Sequence, residues 1–549
     1  MRLKDGKLTS ARAMVEVFKM EGTEYVFCVP GESYLPLLDA LYDEPGIRVI
    51  TNRHEGGAAF MAEGYAKASL KPGVVLATRG VGAANLAIGV HTARHDSTPM
   101  VVILGQVDSR FRGREGFQEV ELAEFFRPLA KWSVEIRDPA RVPELMHRAF
   151  HIAQTGRPGP VVVSIPEDLF LAESDYQFSG QLKRPSPGPS REELDLAGQQ
   201  LERSERPAVI AGGGVKWAQA EEDLIRFAEK FSLPVLTAFR RHDVFPNDHP
   251  LYAGHLGLGT PREILETVRK ADLVIAIGTR LSEITTQDYS LFSGQKLIHI
   301  DIDAENIGTF YRPILGIVSD AGEALRGLLS LKADIRWKEW AAERNAFYKR
   351  TTELTLNEKA SLYAHGIELL RRLLPRDALI TNDAGNFAGW LHRYYSFRQK
   401  NTYVGPTSGA MGYGLPAALG AKLAHPERVV CSLSGDGGFL MTFQELETAV
   451  REQIPVIAIV FNNKMYGTIR MHQEIHFPGR VIATDLGDVS FHRLAESLGA
   501  RGFTVNSAGE FAKALKESLR SSLPCVIEVK AEPEQISVTE TITSLRRKN

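Results

Sequence analysis

Short apolar runs of strand length alternate with helix-length amphipathic runs from one end of this 549-residue chain to the other; VFCVP, IRVIT, GVVLATRG, PMVVILG and PVVVSIP occur in its first third alone. That alternation predicts βα repetition around parallel sheets. Two segments interrupt it. SGQLKRPSPGPSREELD, from Ser179 to Asp195, is rich in Pro, Ser and charge and reads as a linker; WKEWAAERNAFYKRTTELTLNE, from Trp337 to near Glu358, reads as a polar helical stretch. The expectation is three doubly wound parallel-sheet α/β domains over residues 1–180, 181–345 and 346–549, consistent with about 150 residues per domain.

Charged residues make up 24% of the chain and the formal net charge is −2, so no global field draws it to nucleic acid or to an anionic membrane. A small-molecule enzyme is expected. Cys28, Cys431 and Cys525 are far apart and without CxxC spacing, which excludes a cysteine-built zinc site and fits a reducing, cytoplasmic compartment. The N-terminal MRLKDGKLTSARAMVEVF shows no signal-peptide core, and no run approaches the ~18 apolar residues of a membrane span.

In the middle third, VIAGGGVKW, DLVIAIGTR and LIHIDID are strand-then-turn units of Rossmann type. Gly212-Gly213-Gly214 lacks the third glycine of GxGxxG, so it reads as a tight turn before it reads as a dinucleotide signal.

The most specific motif is SGDGGFLMTFQELETAVREQIPVIAIVFNN, Ser434 to Asn463. The strand VVCSLS precedes Gly435-Asp436-Gly437-Gly438, and a helix follows with Phe439, Phe443, Leu446 and Val450 on one apolar face. Backbone N–H groups at such a strand-to-helix turn favour phosphate, and glycines let it approach closely. The next strand ends at Asn462-Asn463, so Asp436 and Asn463 both stand at carboxyl ends of parallel strands, where open α/β sheets bind ligands. A carboxylate, an amide oxygen and a backbone carbonyl suit Mg²⁺. Alone, GDGG is also a turn and Asn-Asn a loop.

Together these residues resemble the GDG…NN signature of thiamine diphosphate (ThDP) enzymes. The resemblance implies Asp436, Asn463 and Met465 as Mg²⁺ ligands and Gly435, Gly437, Gly438, Tyr466 and Gly467 as cofactor contacts, with Asn386 in the loop Asp383-Ala384-Gly385-Asn386-Phe387 as another. ThDP chemistry needs a buried glutamate against the aminopyrimidine N1′. RHEGGAAFMAEGYA resembles the sequence around that residue in acetohydroxyacid synthase-like members, so Glu55 inherits the role; alone it is also an acid in a first helical turn, and Glu63 reads as structural. GPTSGAMGYGLPAALGAK resembles the turn beneath the cofactor, implying that the Gly409 carbonyl accepts from the 4′-amino group and that Met411, elsewhere ordinary core filler, props the bent cofactor.

The resemblance spans nearly the whole chain in the order pyrimidine-binding, central and diphosphate-binding domain, and is best to the acetohydroxyacid (acetolactate) synthase large subunit. It implies decarboxylation of a 2-oxo acid and carboligation to a second carbonyl, a homodimer or homotetramer with active sites between subunits, and no nucleic-acid or membrane partner. Phe117, Gln118 and Lys131 would border the site, with Gln118 hydrogen-bonding intermediates unless it is a surface glutamine. Three positions depart from the synthases. Glu32 puts an ionisable group, a possible proton donor, near the reacting carbon; Ile284 replaces an arginine that recognises the acceptor carboxylate; His472 replaces a tryptophan and is either an acid–base group or an exposed loop residue. A non-ligating 2-oxo acid decarboxylase and a pyruvate oxidase-type enzyme with FAD in the middle domain stay open, as does a non-catalytic binding protein.

Overall fold

The computed structural model describes residues 7–356 and 360–548. Residues 1–6 of the N-terminal segment and the end of the predicted polar helix at Asn357 and Glu358 lie outside these residues; the helix itself runs Lys338–Thr352.

Three sheets, each of six parallel strands, make the frame, so the fold is three α/β units as expected. In the first the strands lie in the order Arg48–Thr51, Tyr25–Cys28, Gly73–Thr78, Met100–Gln106, Pro160–Pro166, Trp132–Glu135. Counted within the sheet this is second, first, third, fourth, sixth, fifth, and the third sheet, from Leu379–Asn382 to Cys525–Lys530, repeats it. The middle sheet, from Pro207–Ala211 to Leu315–Val318, has the order third, second, first, fourth, fifth, sixth, which is the dinucleotide-binding arrangement. Its strands Pro207–Ala211 and Leu273–Ile277 are buried at every position, as parallel strands covered on both faces must be. Residues 175–190 cross between units without regular structure, and the helix Arg191–Glu202 then starts on a capping box made by Ser190 and Glu193.

The first and third units share one core, built where the helices Glu55–Ser69 and Gly414–Ala424 meet. Small residues set the spacing. A Cβ on Gly64 would lie 2.4 Å from the Ala417 carbonyl oxygen, and one on Gly420 would lie 2.0 Å from that of Met61. Beside this contact Lys67 reaches Glu63 at 2.8 Å and Asp96 at 3.1 Å, and Asp96 also holds Arg241 at 3.0 Å and the Thr407 N–H at 3.0 Å. Glu63 is fully buried and accepts from Thr98 and Tyr413, so its place is in this network joining all three units.

One expected helix is two. Between Asp436–Thr442 and Glu445–Arg451 the chain makes a turn at Phe443 and Gln444. Two contacts fix the break: Thr442 Oγ1 donates to the Gly412 carbonyl at 2.6 Å, while Glu445 accepts the N–H groups of Arg53 and His54, each at 3.1 Å, and the Asn52 amide at 2.9 Å. The second helix is thus pinned to the start of the helix bearing Glu55.

Candidate active site

The strand Val430–Gly435 delivers Asp436 to the carboxyl edge of the third sheet, and the strand Ile457–Asn462 delivers Asn463 beside it. Asp436 Oδ1 accepts from the Gly437 N–H at 3.0 Å, but Oδ2 is buried with no partner. Burial pushes this carboxyl up to about 6, only partly offset by the N–H groups of Gly437, Lys464 and Met465 around it. An uncompensated anion in such a place calls for a cation. Lys464 turns the chain with φ +59°, a left-handed value uncommon for a side-chain-bearing residue, and Met465 N–H donates to Asn463 Oδ1 at 3.3 Å. Of the asparagine pair, Asn462 is structural: its amide donates to Glu528 at 2.8 Å and to the Val489 carbonyl.

The glycines close this cradle. A Cβ on Gly437 would lie 2.5 Å from the Tyr466 ring, one on Gly438 2.8 Å from Asp383 Oδ2, one on Gly435 3.5 Å from Phe387, and one on Gly467 3.3 Å from the Asn463 amide. Asp436, Asn463, Met465, Tyr466 and Gly467 are therefore one cluster. Asp383 joins them. It ends the run from Leu379–Asn382, its Oδ1 accepts the Gly414 N–H at 2.6 Å, its Oδ2 is a second buried oxygen without a partner, and burial pushes it too up to about 6. Asn386 is engaged at both ends of its amide, by the Ile536 carbonyl at 2.7 Å and by Thr468 at 3.0 Å, which ties its loop to the chain's last segment. The Gly409 and Met411 turn is fastened to the same place: Ala384 N–H donates to the Ala410 carbonyl, and Gly412, at φ +77°, packs on Met441 and Thr442. Gly409 is exposed at φ +70°, where glycine is suited, and Met411 is half-buried.

At the carboxyl edge of the first sheet a second group collects. Glu55 opens the helix Glu55–Ser69, is half-buried within the chain, and accepts from the Asn85 amide at 2.9 Å; a Cβ on Gly82 would lie 3.2 Å from its Oε1. Gly80 N–H donates to the Gln118 carbonyl at 3.0 Å, and Gln118 itself has φ +65°. Glu32 is exposed on the turn after Tyr25–Cys28, and its neighbour Ser33 shares a 2.7 Å hydrogen bond with Thr78. Glu32, Gln118 and Glu55 thus surround the turn Thr78–Gly82.

Two sequence-derived residues stand elsewhere. Lys131 precedes the strand Trp132–Glu135, at the amino edge of the sheet, and donates to the carbonyls of Ile152 and Thr155 at a helix end; burial, with Arg94 and Arg157 nearby, lowers it to about 8. It does not border the Glu55 group. His472 is exposed on the helix Gly467–His476, stacked on His476 at 6.0 Å. Asp383 opens the loop expected from sequence to contact the diphosphate, whereas Arg79, which begins the helix Arg79–Asp96 beside Glu55, belongs to none of the motifs; both follow immediately on a strand and so occupy ligand-facing positions.

Where the middle unit meets the first, a cleft opens beside the Gly212–Gly214 turn. That turn packs on the Gly278 turn so closely that a Cβ on Gly214 would lie 2.6 Å from Gly278 Cα. Arg157, Arg184, Arg241 and Arg280 line the cleft, together with Asp96, Asp301 and Asp320. Arg157 is lowered to about 10 by burial and by Arg280 and Arg94, the mark of crowded positive charge.

Sequence comparison covers the three units in turn. Residues 8–125 match the family described as thiamine pyrophosphate enzyme, N-terminal TPP binding domain; 194–328 match its central domain and 383–529 its C-terminal TPP binding domain. A probable acetolactate synthase large subunit of Methanocaldococcus jannaschii is 35% identical over 548 residues, covering 96% of this chain and 93% of that one. The acetolactate synthase large subunit of Haemophilus influenzae is 34% identical, covering 93% and 92%, and the sulfoacetaldehyde acetyltransferase of Rhodobacter capsulatus 31%, covering 93% and 92%. With all three of its units matched in order and relatives aligned along nearly its whole length, the chain belongs to the thiamine pyrophosphate enzymes and is similar throughout to the acetolactate synthase large subunits.

Proposed function

We propose that this protein is a ThDP- and Mg²⁺-dependent carboligase that decarboxylates a 2-oxo acid and joins the remaining acyl unit to a second carbonyl, as an acetolactate synthase does. The observation that carries this reading is the buried, unpartnered Asp436 Oδ2 facing the Asn463–Met465 turn inside a glycine cradle. Asp436, the Asn463 amide oxygen and the Met465 carbonyl would hold Mg²⁺, and the backbone at Gly435, Gly437, Gly438, Tyr466 and Gly467 would hold the diphosphate, with Asn386 bracing the facing loop. Bound ThDP supplies the acidic carbon and the electron sink for loss of CO₂.

The chain's own residues do the rest. Glu55 would hold a proton against the pyrimidine ring, the Gly409 carbonyl would accept from the ring amine, and Met411 would pack beneath the cofactor. Gln118 would hydrogen-bond the substrate oxygen and Glu32 would donate a proton at the mouth. Half-buried Glu55 and exposed Phe117, Val81 and Ile88 around it support completion of the site by a second copy, hence a homodimer or homotetramer. Three buried free thiols suit a cytoplasmic setting, and no helix among the described residues is long and apolar enough to cross a membrane.

The test is product analysis with ThDP, Mg²⁺ and pyruvate. Acetolactate formed in step with CO₂ is expected; acetaldehyde alone would make the protein a simple decarboxylase, and no CO₂ from any of a panel of 2-oxo acids would sink the reading. For the middle-unit cleft we infer FAD, since the strand order and the four lining arginines suit a dinucleotide diphosphate. The purified protein should then be yellow, and a colourless preparation that takes up no flavin would refute this.

A further inference from the structure

We propose that Arg79 selects the second substrate by binding an anionic group on it, a carboxylate or sulfonate near the acceptor carbonyl. The inference rests on the carboligase reading. Arg79 follows the strand Gly73–Thr78 and adopts φ +36°, a left-handed conformation that a side-chain-bearing residue holds only when its surroundings impose it. The surroundings are those of the site. Next to it, Gly80 is hydrogen-bonded to the Gln118 carbonyl, and Gly82 faces Glu55 Oε1.

The guanidinium is nearly fully buried, at 8% exposure for the residue, yet mostly unengaged. Nη2 donates to Glu167 Oε2 at 2.6 Å, but Nε is buried without a partner. Arg carries five N–H donors, and a purely structural ion pair at this burial would be expected to engage more of them. Glu167 follows the strand Pro160–Pro166, two places along the sheet, so the Arg79 side chain spans the carboxyl edge over Met100–Gln106. The ring of Phe117 lies 6.0 Å from the guanidinium carbon and is 74% exposed. Arginine and ring make a slot with a cationic floor, open toward solvent.

Which anion this is follows from the reaction. A cation beside the carboxylate that departs as CO₂ would stabilise the ground state more than the transition state and slow its loss. Arg79 therefore serves a group that stays, and in a carboligation that group belongs to the acceptor.

The experiment uses the holoenzyme with pyruvate as donor and three acceptors offered in competition: pyruvate, sulfoacetaldehyde and neutral acetaldehyde. The ratio of ligation products depends only on acceptor capture, because every earlier step is common to them. Arg79→Ala should shift that ratio at least tenfold toward the acetaldehyde product, Arg79→Lys should recover part of the shift, and the anionic acceptor losing more identifies the natural chemistry. Glu167→Gln, which removes the competing negative charge beside the guanidinium, should lower KM for the anionic acceptors. An unchanged product ratio in both Arg79 variants, with ThDP affinity retained, would overturn the proposal. If the wild-type protein forms no ligation product with any acceptor, the carboligase reading itself fails. Arg79 is then judged by equilibrium binding of sulfoacetaldehyde to wild-type and Arg79→Ala protein, where equal affinities overturn its role in holding an anion.

Discussion

The first and third units thread their six strands in one order and place their ligand-facing residues on the same edge, yet they equip that edge in opposite ways. In the third, two buried carboxylates, Asp436 and Asp383, each keep an oxygen without a partner, and glycines strip side chains from the space around them. In the first, the Glu55 carboxylate already has a donor in Asn85 and sits half-open to solvent. One edge holds buried carboxylate oxygens without partners, the other a half-exposed carboxylate already hydrogen-bonded. A shared topology fixes where a ligand is held, and a few residues in the turns decide what chemistry is done to it.

Two substitutions separate these roles most strongly. Asp436→Ala should remove a metal ligand and weaken Mg²⁺-dependent ThDP binding by more than the roughly 10–100-fold that loss of an outer partner brings. Glu55→Gln should leave ThDP binding within a few-fold and lower turnover by about 10²–10⁴, the usual contribution of a positioned proton-transfer group. Titrating ThDP by fluorescence alongside single-turnover CO₂ release measures both. If the two variants lose binding and turnover in the same proportion, the division of labour between the units is wrong.

The contact that couples the units can be broken without touching either edge. Gly64→Ala places a methyl 2.4 Å from the Ala417 carbonyl oxygen, a backbone atom that cannot turn aside. Overpacking of this kind costs about 1–3 kcal/mol, which should appear as a lower urea midpoint. Gly437→Ala also creates a close contact, 2.5 Å, but against the side chain of Tyr466. It should reduce ThDP affinity with a smaller change in midpoint; equal midpoint losses would mean that the cradle is held by the same packing as the core.

Much of this was legible before any coordinates. Alternating apolar runs are a local signal, and so is the distance from Asp436 to Asn463, since one helix and one strand fill it. What escaped the sequence was non-local. The period of Phe439, Phe443, Leu446 and Val450 runs straight through the turn at Phe443 and Gln444, because Glu445 is drawn aside by backbone donors from residues 53 and 54, almost 400 positions away. Lys131 was misplaced for a related reason: its run reads as continuous with Gln118, but a strand begins one residue later, leaving it on the opposite edge. The middle unit's glycines read as a turn, and they do pack as one; the cleft beside them depends on a strand order that no segment of sequence carries.

The smallest effect lies where the middle and third units meet. His255 and His242 from the middle unit pack against His392 and Tyr403 from the third, with ring centroids of His242 at 4.4 Å from His255 and 4.7 Å from His392. Burial, aided by Arg393, lowers His255 to about 4, and burial lowers His242 and His392 as well. A histidine whose folded pKa lies below its unfolded value of about 6.5 leaves the unfolded chain as the better proton acceptor between the two values, so stability rises with pH across that window and is lost as pH falls through it. For His255 alone the loss from pH 7 to 5.5 is about 1 kcal/mol. His255→Gln should flatten this part of the pH profile of the urea midpoint, whereas Gly64→Ala, which removes no ionisable group, should leave its slope as it is. A profile equally steep in the His255 variant would move the acid sensitivity to His242 and His392, and with it the question of which side of this contact carries the proton.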